Sequence, residues 1–186
     1  MVIACIWIGY IAWPIYDLYV LVRAIETRDV GTVTRHVYFD EVRKSITQQL
    51  VSAYERRTGT QINPFARNMA ANAVAVADPV MSKLFSPEGL AELLSAGWPV
   101  SVMPADPGTV GITRNTLGTI WQVFGDSEYG VGRFEISAPV ALPPQHRFYL
   151  EFRLLQWQWR LVGVTLPERI QDVLADEIAK TIKRQH

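Results

Sequence analysis

The first 16 residues of the chain form an apolar block without a charged side chain. Met1 to Tyr16 includes 14 hydrophobic residues, and the first charge is Asp17. As a helix, 16 residues span ~24 Å, which is less than the ~30 Å hydrocarbon core of a bilayer. Counting on to Val22 gives ~33 Å, which is enough to cross it. The sequence therefore predicts a membrane-anchor helix over residues 1–22, followed by a globular domain.

Aromatic side chains recur along this apolar block, and such side chains favour membrane–water interfaces. We expect the anchor to place four of them there: Trp7, Tyr10, Trp13 and Tyr16. Two alternatives stay open, namely lipid attachment at Cys5 in the lipobox-like Val2-Ile3-Ala4-Cys5, or an apolar helix packed on its own domain or on a partner. Basic residues follow the block, beginning with Arg23, and none precedes it, so residue order alone leaves the orientation open.

Composition restricts the rest of the chain to one domain of ordinary size. The 186 residues are 49% hydrophobic and carry 18 basic and 18 acidic side chains. Balanced charge removes the electrostatic signature of a nucleic-acid binder, and a single cysteine excludes a disulfide framework. We expect one α+β domain over residues 23–166, a C-terminal helix over residues 167–186, and no nucleic-acid partner.

Helical spacing of apolar residues extends from residue 15 to residue 96. Asp29 is the expected N-cap of a short helix, and a long helix after Asp40 ends at Thr58-Gly59-Thr60. Two more helices are predicted, from Asn63-Pro64 to about residue 84 and from Ser86-Pro87 to residue 97. Pro167 begins the last helix, whose apolar stripe is Ile170, Val173, Leu174, Ile178 and Ile182.

Alternating polarity replaces the helical period after residue 118. It predicts four strands, over residues 118–124, 131–138, 147–155 and 157–165. A two-residue turn at Gln156-Trp157 would join the last two strands. That turn would place Phe152 opposite Leu161, Leu154 opposite Trp159, and Arg153 opposite Arg160. We therefore expect an antiparallel sheet with one face packed on the N-terminal helices and the other face polar.

Several short motifs follow the apolar block in order. They are Ala24-Ile25-Glu26-x-Arg28-Asp29, Phe39-Asp40-x-Val42-Arg43-x-Ser45-Ile46, Phe85-Ser86-Pro87-Glu88-Gly89-Leu90, Arg133-Phe134-Glu135-Ile136 and Trp159-Arg160-Leu161-x-Gly163-Val164-x-Leu166-Pro167. Their order and spacing over about residues 7–167 resemble the bacterial DUF2939 family. The resemblance implies an inner-membrane protein with an N-terminal anchor helix, a periplasmic domain and no established activity. The helix-then-sheet order is also similar to cone-shaped NTF2-like and cystatin-like domains, an analogy that carries no function.

Residues suited to catalysis are sparse. His36 and Asp40 lie four apart, but a turn at residues 37–39 would separate their faces, so we expect a surface or interfacial histidine. His146 is expected at a loop edge. The chain has no HExxH motif, cysteine pair, calcium loop or complete dinucleotide fingerprint. We therefore predict no catalytic residue, no metal site and no cofactor.

The candidate ligand-binding residues lie on the polar face of the predicted sheet. Two arginines opposite each other repel unless a glutamate or an anionic ligand lies between them. The candidate ligand-binding residues on this face are Arg133, Glu135, Tyr149, Glu151, Arg153 and Arg160, and Arg147 also lies on it. The aromatic side chains of the sheet region, including Trp121 and Trp157, are expected mostly in the core.

These observations favour a non-catalytic accessory domain that is anchored in the bacterial inner membrane and binds another envelope protein. The alternative is a carrier or sensor of a small apolar or anionic ligand in a sheet-lined pocket. An acid–base enzyme on the same fold would need His36 or His146 to point into such a pocket.

Overall fold

The computed structural model describes residues 2–59, 79–100 and 108–184. These residues form an α+β fold in which helices precede a four-stranded antiparallel sheet and a last helix follows it, as predicted. The helices are α1 (Val2–Glu26), α2 (Val30–His36), α3 (Phe39–Thr58), α4 (Pro79–Leu84), α5 (Pro87–Ala96), α6 (Ile120–Gly125) and α7 (Glu168–Arg184). The strands are β1 (Ser127–Gly130), β2 (Arg133–Ala138), β3 (Phe148–Leu155) and β4 (Gln158–Thr165), and a short 3-10 helix (Pro144–His146) precedes β3.

The sheet is a simple meander in the order β1-β2-β3-β4. The hairpin between β3 and β4 has the predicted register, with Phe152 opposite Leu161 and Arg153 opposite Arg160. A bulge shifts the register between Glu151 and Phe152. One face of the sheet is apolar and closed, because Phe134, Phe148, Phe152 and Trp159 are all at most 1% exposed.

Helix α1 is one continuous rod from Val2 to Glu26, although Pro14 removes one of its internal hydrogen bonds. Its second half belongs to the core, since Ile15, Leu18 and Val22 are at most 4% exposed. The predicted division at residue 22 therefore differs from the packing. The helix crosses that position without a break, and the domain core begins near residue 15.

The two short links around α2 fix this helix between α1 and the sheet. The Asp29 carboxylate accepts a hydrogen bond from the Thr32 backbone N–H at 3.1 Å, as expected of an N-cap. After α2, the Tyr38 N–H donates to the Leu161 carbonyl at 2.8 Å, and Val37 forms a parallel bridge with Leu161. The link between α2 and α3 thus pairs with the outer edge of β4, which protects that edge from pairing with another chain.

Gln49 of α3 completes the cover of the β4 edge. Its side-chain amide donates to the Val164 carbonyl at 2.7 Å and accepts from the Leu166 N–H at 2.8 Å. Ser45, one turn earlier in α3, also donates to the Val164 carbonyl. These bonds seat α3 along β4 with its apolar stripe toward the core, because Val42, Ile46 and Leu50 are at most 2% exposed.

The predicted strand over residues 118–124 is wrong. Helix α6 occupies residues 120–125, and the first strand is the short β1, from Ser127. A capping box decides the local structure, because Thr119 accepts from the Gln122 N–H while the Gln122 side chain accepts from the Thr119 N–H. These two reciprocal bonds satisfy backbone N–H groups at the start of the helix. The alternation of polar and apolar residues carries no information about such bonds.

Other sequence expectations are corrected in detail. Trp121 and Trp157 are 81% and 82% exposed, so neither belongs to the core. In α7, Ile170 and Leu174 are buried as predicted, whereas Val173 is exposed and Ala175 takes a buried place instead. The predicted helix from Asn63-Pro64 lies mostly outside the described residues, which resume in the short α4.

Candidate functional site

Three arginines stand side by side across the polar face of the sheet. Arg133 of β2 lies directly opposite Arg153 of β3, which lies opposite Arg160 of β4. We call these three residues the arginine row. The row lies at the end of the sheet where the turn between β1 and β2 and the turn between β3 and β4 are found.

A matching row of carboxylates lies two residues further along the strands. Glu128 of β1 is opposite Glu135 of β2, which is opposite Glu151 of β3. We call these residues the glutamate row. Because strands rise ~3.3 Å per residue, the two rows are ~7 Å apart along the strands.

Ion pairs join the two rows. Arg133 contacts Glu135 at 2.8 Å and Glu151 at 3.3 Å, while Arg153 contacts Glu151 at 3.1 Å. Both arginine side chains remain more than half exposed, so each ion pair stabilises the fold by little, ~0–1 kcal/mol. The arginines are thus held in place but keep donors available to an external anion.

Arg160 is the least satisfied member of the arginine row. Its Nη2 donates to the Gln158 side-chain oxygen at 3.4 Å, and its buried Nε has no hydrogen-bond partner in the described structure. The guanidinium therefore lies opposite Arg153 without a carboxylate contact of its own in this part of the chain.

Tyr149 and Arg147 also lie on this face, but they belong to neither row. Tyr149 lies near the opposite end of β3, where its hydroxyl donates to the Pro144 carbonyl at 3.5 Å, so the structure separates it from the other predicted ligand-binding residues. Arg147 at the start of β3 donates to the carbonyls of Leu142 and Val140 at 2.6 and 2.7 Å. It organises the loop before the strand and has no link to the arginine row.

An open cleft of about 520 Å³ lies between α3 and the polar face of the sheet. Glu151 and Arg153 of the predicted set line its sheet side. The helix side was not predicted, and it contributes Tyr38, Glu41, Lys44, Ser45 and Gln48. A helical stripe of polar residues was visible in the sequence, but its contact with β4 joins residues 119 apart, as between Ser45 and Val164.

A smaller cleft of about 320 Å³ lies between the end of α1 and α5. Its charged lining is mixed, with Arg28 and Lys83 near Glu88. Neither of these two clefts lies on the apolar face of the sheet, which the core side chains fill.

A buried carboxylate and a histidine meet where α1, α2 and β4 converge. The Asp17 Oδ1 lies 4.0 Å from the His36 Nε2, and the Asp17 Oδ2 accepts from the Trp159 N–H at 3.4 Å. His36 is buried, and its Nδ1 lies 3.0 Å from the Thr32 carbonyl. The expected interfacial position of His36 is found, but its carboxylate neighbour is Asp17 of α1. Asp40, the residue considered from the sequence, is exposed on α3.

Burial sets the protonation behaviour of Asp17. Desolvation raises the pKa of its carboxyl above the ordinary value, while the Trp159 N–H, the neighbouring His36 and the Trp13 side chain act in the opposite direction. The location inside the fold makes this an internal contact that connects α1 to the edge of β4.

His146 is exposed in the short 3-10 helix, as expected for a loop edge. Among the described residues, no group of three histidine, cysteine or acidic side chains could hold a metal ion.

The four expected anchor residues do not share one environment. The Tyr10 hydroxyl accepts from the Gly132 N–H at 2.9 Å, and its ring meets Trp159 edge-on at a centroid distance of 6.3 Å. Trp13 is also half-buried against the core, whereas Tyr16 is exposed. The Trp7 side chain lies outside the described residues. Among the described residues, no helix combines the length and the hydropathy that a membrane span needs.

The fold and this polar face define the chain as a small α+β domain built on an antiparallel meander. A model of DUF2939, a family described as a protein of unknown function, matches residues 3–93. This match confirms the DUF2939 assignment made from the motifs, through α1 to α5, and does not extend to the sheet. No curated protein and no solved structure matches the chain, so the NTF2-like analogy stays a prediction.

Proposed function

We propose that this protein is a non-catalytic accessory domain held at the bacterial inner membrane, where it faces the periplasm and binds another protein of the cell envelope. We expect the protein to use no cofactor and to bind no nucleic acid. The observation that carries the proposal is the two-part character of α1, whose second half lies in the core while its first turns are apolar and uncharged.

The apolar, uncharged start of α1 is the proposed anchor. Tyr10 is the first residue of α1 with a described contact to the sheet. Gly9 lies on the exposed side of α1, where an added Cβ would meet no atom within 4 Å. We therefore propose that the uncharged turns of α1 before Tyr10 lie within the membrane.

The cleft between α3 and the polar sheet face is the proposed partner site. It is open and offers both signs of charge, with Glu41 and Glu151 beside Lys44 and Arg153. Small-molecule sites usually enclose most of their ligand, whereas an open polar cleft fits a loop or an extended segment of another protein. The alternation of charges would select a partner segment with the complementary pattern.

A small anionic ligand is the second candidate, and the arginine row favours it. Arg153 and Arg160 lie opposite each other, and the Arg160 guanidinium has no carboxylate contact in the described part of the chain. An apolar ligand is less favoured, because buried side chains fill the apolar face of the sheet. An acid–base enzyme is also less favoured, because His36 and Asp17 are buried inside the fold.

Site-specific photo-crosslinking in living cells tests the partner site. A photoreactive amino acid at Gln48, which lines the cleft, is expected to capture one defined envelope protein. The matched probe at His146, which is exposed and outside the cleft, is expected to capture none. Adding Glu41→Lys and Lys44→Glu to the Gln48 probe should abolish capture. Equal capture by both probes, or capture that survives the charge reversals, would contradict the proposed site.

Two further measurements separate the alternatives. Native mass spectrometry of the full chain would favour the small-ligand carrier if one anionic compound were bound at equal stoichiometry. Reporter fusions at the C-terminus test orientation, and a reporter active in the cytoplasm would refute the periplasmic placement.

A further inference from the structure

We propose that the sheet end carrying the two hairpin turns docks on an anionic lipid surface beside the uncharged start of α1. This inference rests on the proposed membrane anchoring and adds a second contact with the membrane. The surface consists of the turn at Val131-Gly132, the turn at Gln156-Trp157 and the arginine row behind them. We call it the hairpin end.

Both turns present an exposed apolar side chain. Val131 is fully exposed in the first turn, and Trp157 is 82% exposed in the second. The first turn is bound to the end of β3 that leads into the second turn, because the Leu154 N–H donates to the Gly132 carbonyl at 3.0 Å. A tryptophan and a valine on neighbouring turns form a small apolar tip of the kind that membrane interfaces accept.

Helix α1 meets this same end of the sheet through Tyr10. The Tyr10 hydroxyl bonds to the Gly132 N–H in the first turn, and residues 2–9 continue beyond Tyr10 without a charge. A membrane that receives the first turns of α1 therefore lies next to both hairpin turns. The position of this uncharged segment commits the surface to a lipid partner in preference to a soluble protein.

Behind the tip, the strand positions of the basic residues come before those of the acidic ones, while the Arg133 and Arg153 guanidiniums contact Glu135 and Glu151. The arginine row lies directly behind the turns, and the glutamate row lies ~7 Å deeper along the strands. With the turns in the headgroup region, the guanidiniums would lie at the level of the lipid phosphates, which they bind well. The carboxylates would then lie away from the membrane. The balanced charge of the whole chain hides this local order.

The conformation of the second turn provides an independent indication. Gln156 and Trp157 have φ angles of 52° and 62°, in the left-handed region that favours glycine and asparagine. A bulky side chain is strained there, and the exposed Trp157 gains little packing within the domain in return. A contact outside the domain would account for a tryptophan at this position.

Depth measurements on vesicles test the inference with the full chain. The natural cysteine is removed by Cys5→Ala, and a single environment-sensitive fluorophore is attached after Val131→Cys or Gln156→Cys, which both leave Trp157 intact. The control sites are Trp121→Cys and His146→Cys. Both are exposed, and each lies toward the opposite end of the sheet, where Asp126 at the end of α6 pairs with Arg147. The vesicles contain phosphatidylethanolamine and phosphatidylglycerol, with brominated acyl chains as quenchers.

The expected result is flotation of all four proteins with the vesicles and strong quenching only at positions 131 and 156. If the proteins float but these two probes are quenched no more than the controls, docking of the hairpin end is refuted while the anchoring stands. If the proteins do not float, the membrane anchoring is refuted and the docking falls with it.

Charge removal tests the role of the arginine row separately. Arg153→Gln with Arg160→Gln should lower the preference for phosphatidylglycerol vesicles over neutral phosphatidylcholine vesicles by about fivefold for each arginine removed. The control is Arg56→Gln with Arg57→Gln near the C-terminal end of α3, which removes the same charge where the side chains contact Asp172. An equal loss in both double variants would refute a specific role of the row.

Discussion

The Asp17 carboxylate of α1 and the His36 imidazole of α2 face each other inside the fold, with 4.0 Å between Oδ1 and Nε2. Asp17 also accepts a hydrogen bond from the backbone of β4, at Trp159. One carboxylate therefore joins the helix that carries the proposed anchor to the sheet that carries the arginine row.

The first prediction concerns the stability of Asp17 variants as a function of pH. Burial raises the pKa of Asp17 in the folded chain, so the folded state binds more protons than the unfolded state between the two pKa values. Ionisation of Asp17 therefore weakens folding as pH rises through that range. Asp17→Asn, which keeps an acceptor for the Trp159 N–H, should be most stable relative to the unmodified chain at neutral pH.

Urea unfolding from neutral to acidic pH measures this difference. The advantage of Asp17→Asn should shrink as pH falls below the folded-state pKa of Asp17. Asp17→Leu is the companion variant, and it should lose ~1–3 kcal/mol because it leaves the buried Trp159 N–H without an acceptor. A difference between Asp17→Asn and the unmodified chain that does not change with pH would contradict the raised pKa.

The second prediction compares two adjacent glutamines of α3. Gln49→Ala should lower the free energy of unfolding by ~1–3 kcal/mol, because the Val164 carbonyl and the Leu166 N–H lose their partner. Gln48→Ala changes the same side chain at an exposed position and should stay within ~0.5 kcal/mol of the unmodified chain. Similar urea midpoints for the two variants would show that the cover of the β4 edge does not depend on Gln49.

The third prediction concerns the strained turn at the hairpin end. Trp157→Gly should raise the free energy of unfolding by ~0.5–1 kcal/mol, because glycine adopts a left-handed conformation without the steric cost of a side chain. Trp121→Gly removes an equally exposed indole from helix α6 and should instead lower it by ~1 kcal/mol. Thermal unfolding measures both changes, and a loss of stability in Trp157→Gly would contradict the assigned strain.

The fourth prediction concerns the loop between β2 and β3. Arg147→Met should lower the free energy of unfolding by ~2 kcal/mol or more, because the Val140 and Leu142 carbonyls lose a charged donor. Hydrogen exchange of residues 139–146 should speed up in this variant. Arg153→Met is the control, and its exposed ion pair predicts a change of ~0–1 kcal/mol without faster exchange in the loop.

Much of the fold could be predicted from local patterns in the sequence. The register of the hairpin between β3 and β4 followed from matching Phe152 with Leu161 across a two-residue turn, since apolar residues must share a face. The N-cap at Asp29 and the end of α3 at Gly59 were predicted for equally local reasons. The strand predicted over residues 118–124 failed because a capping box is also local and outweighs a brief alternation of polarity.

The candidate site could be predicted only in part, because its geometry depends on distant pairings. The polar face followed from the alternation within β3, but the alignment of Arg133 with Arg153 needs the pairing of β2 with β3. The cleft needs the docking of α3 on β4, which is fixed by contacts such as Ser45 to Val164. The exposure of Trp157 could not be predicted either, since aromatic residues in a sheet region are usually buried.

The continuity of α1 has a mechanical consequence. Because one continuous helix forms both the proposed membrane segment and part of the core, no loop within α1 separates the domain from the lipid. A change in the tilt of the helix in the membrane would rotate the whole domain, and a pull on the domain would act on the helix. Any partner bound in the cleft would therefore be held at a fixed height and a fixed angle above the bilayer.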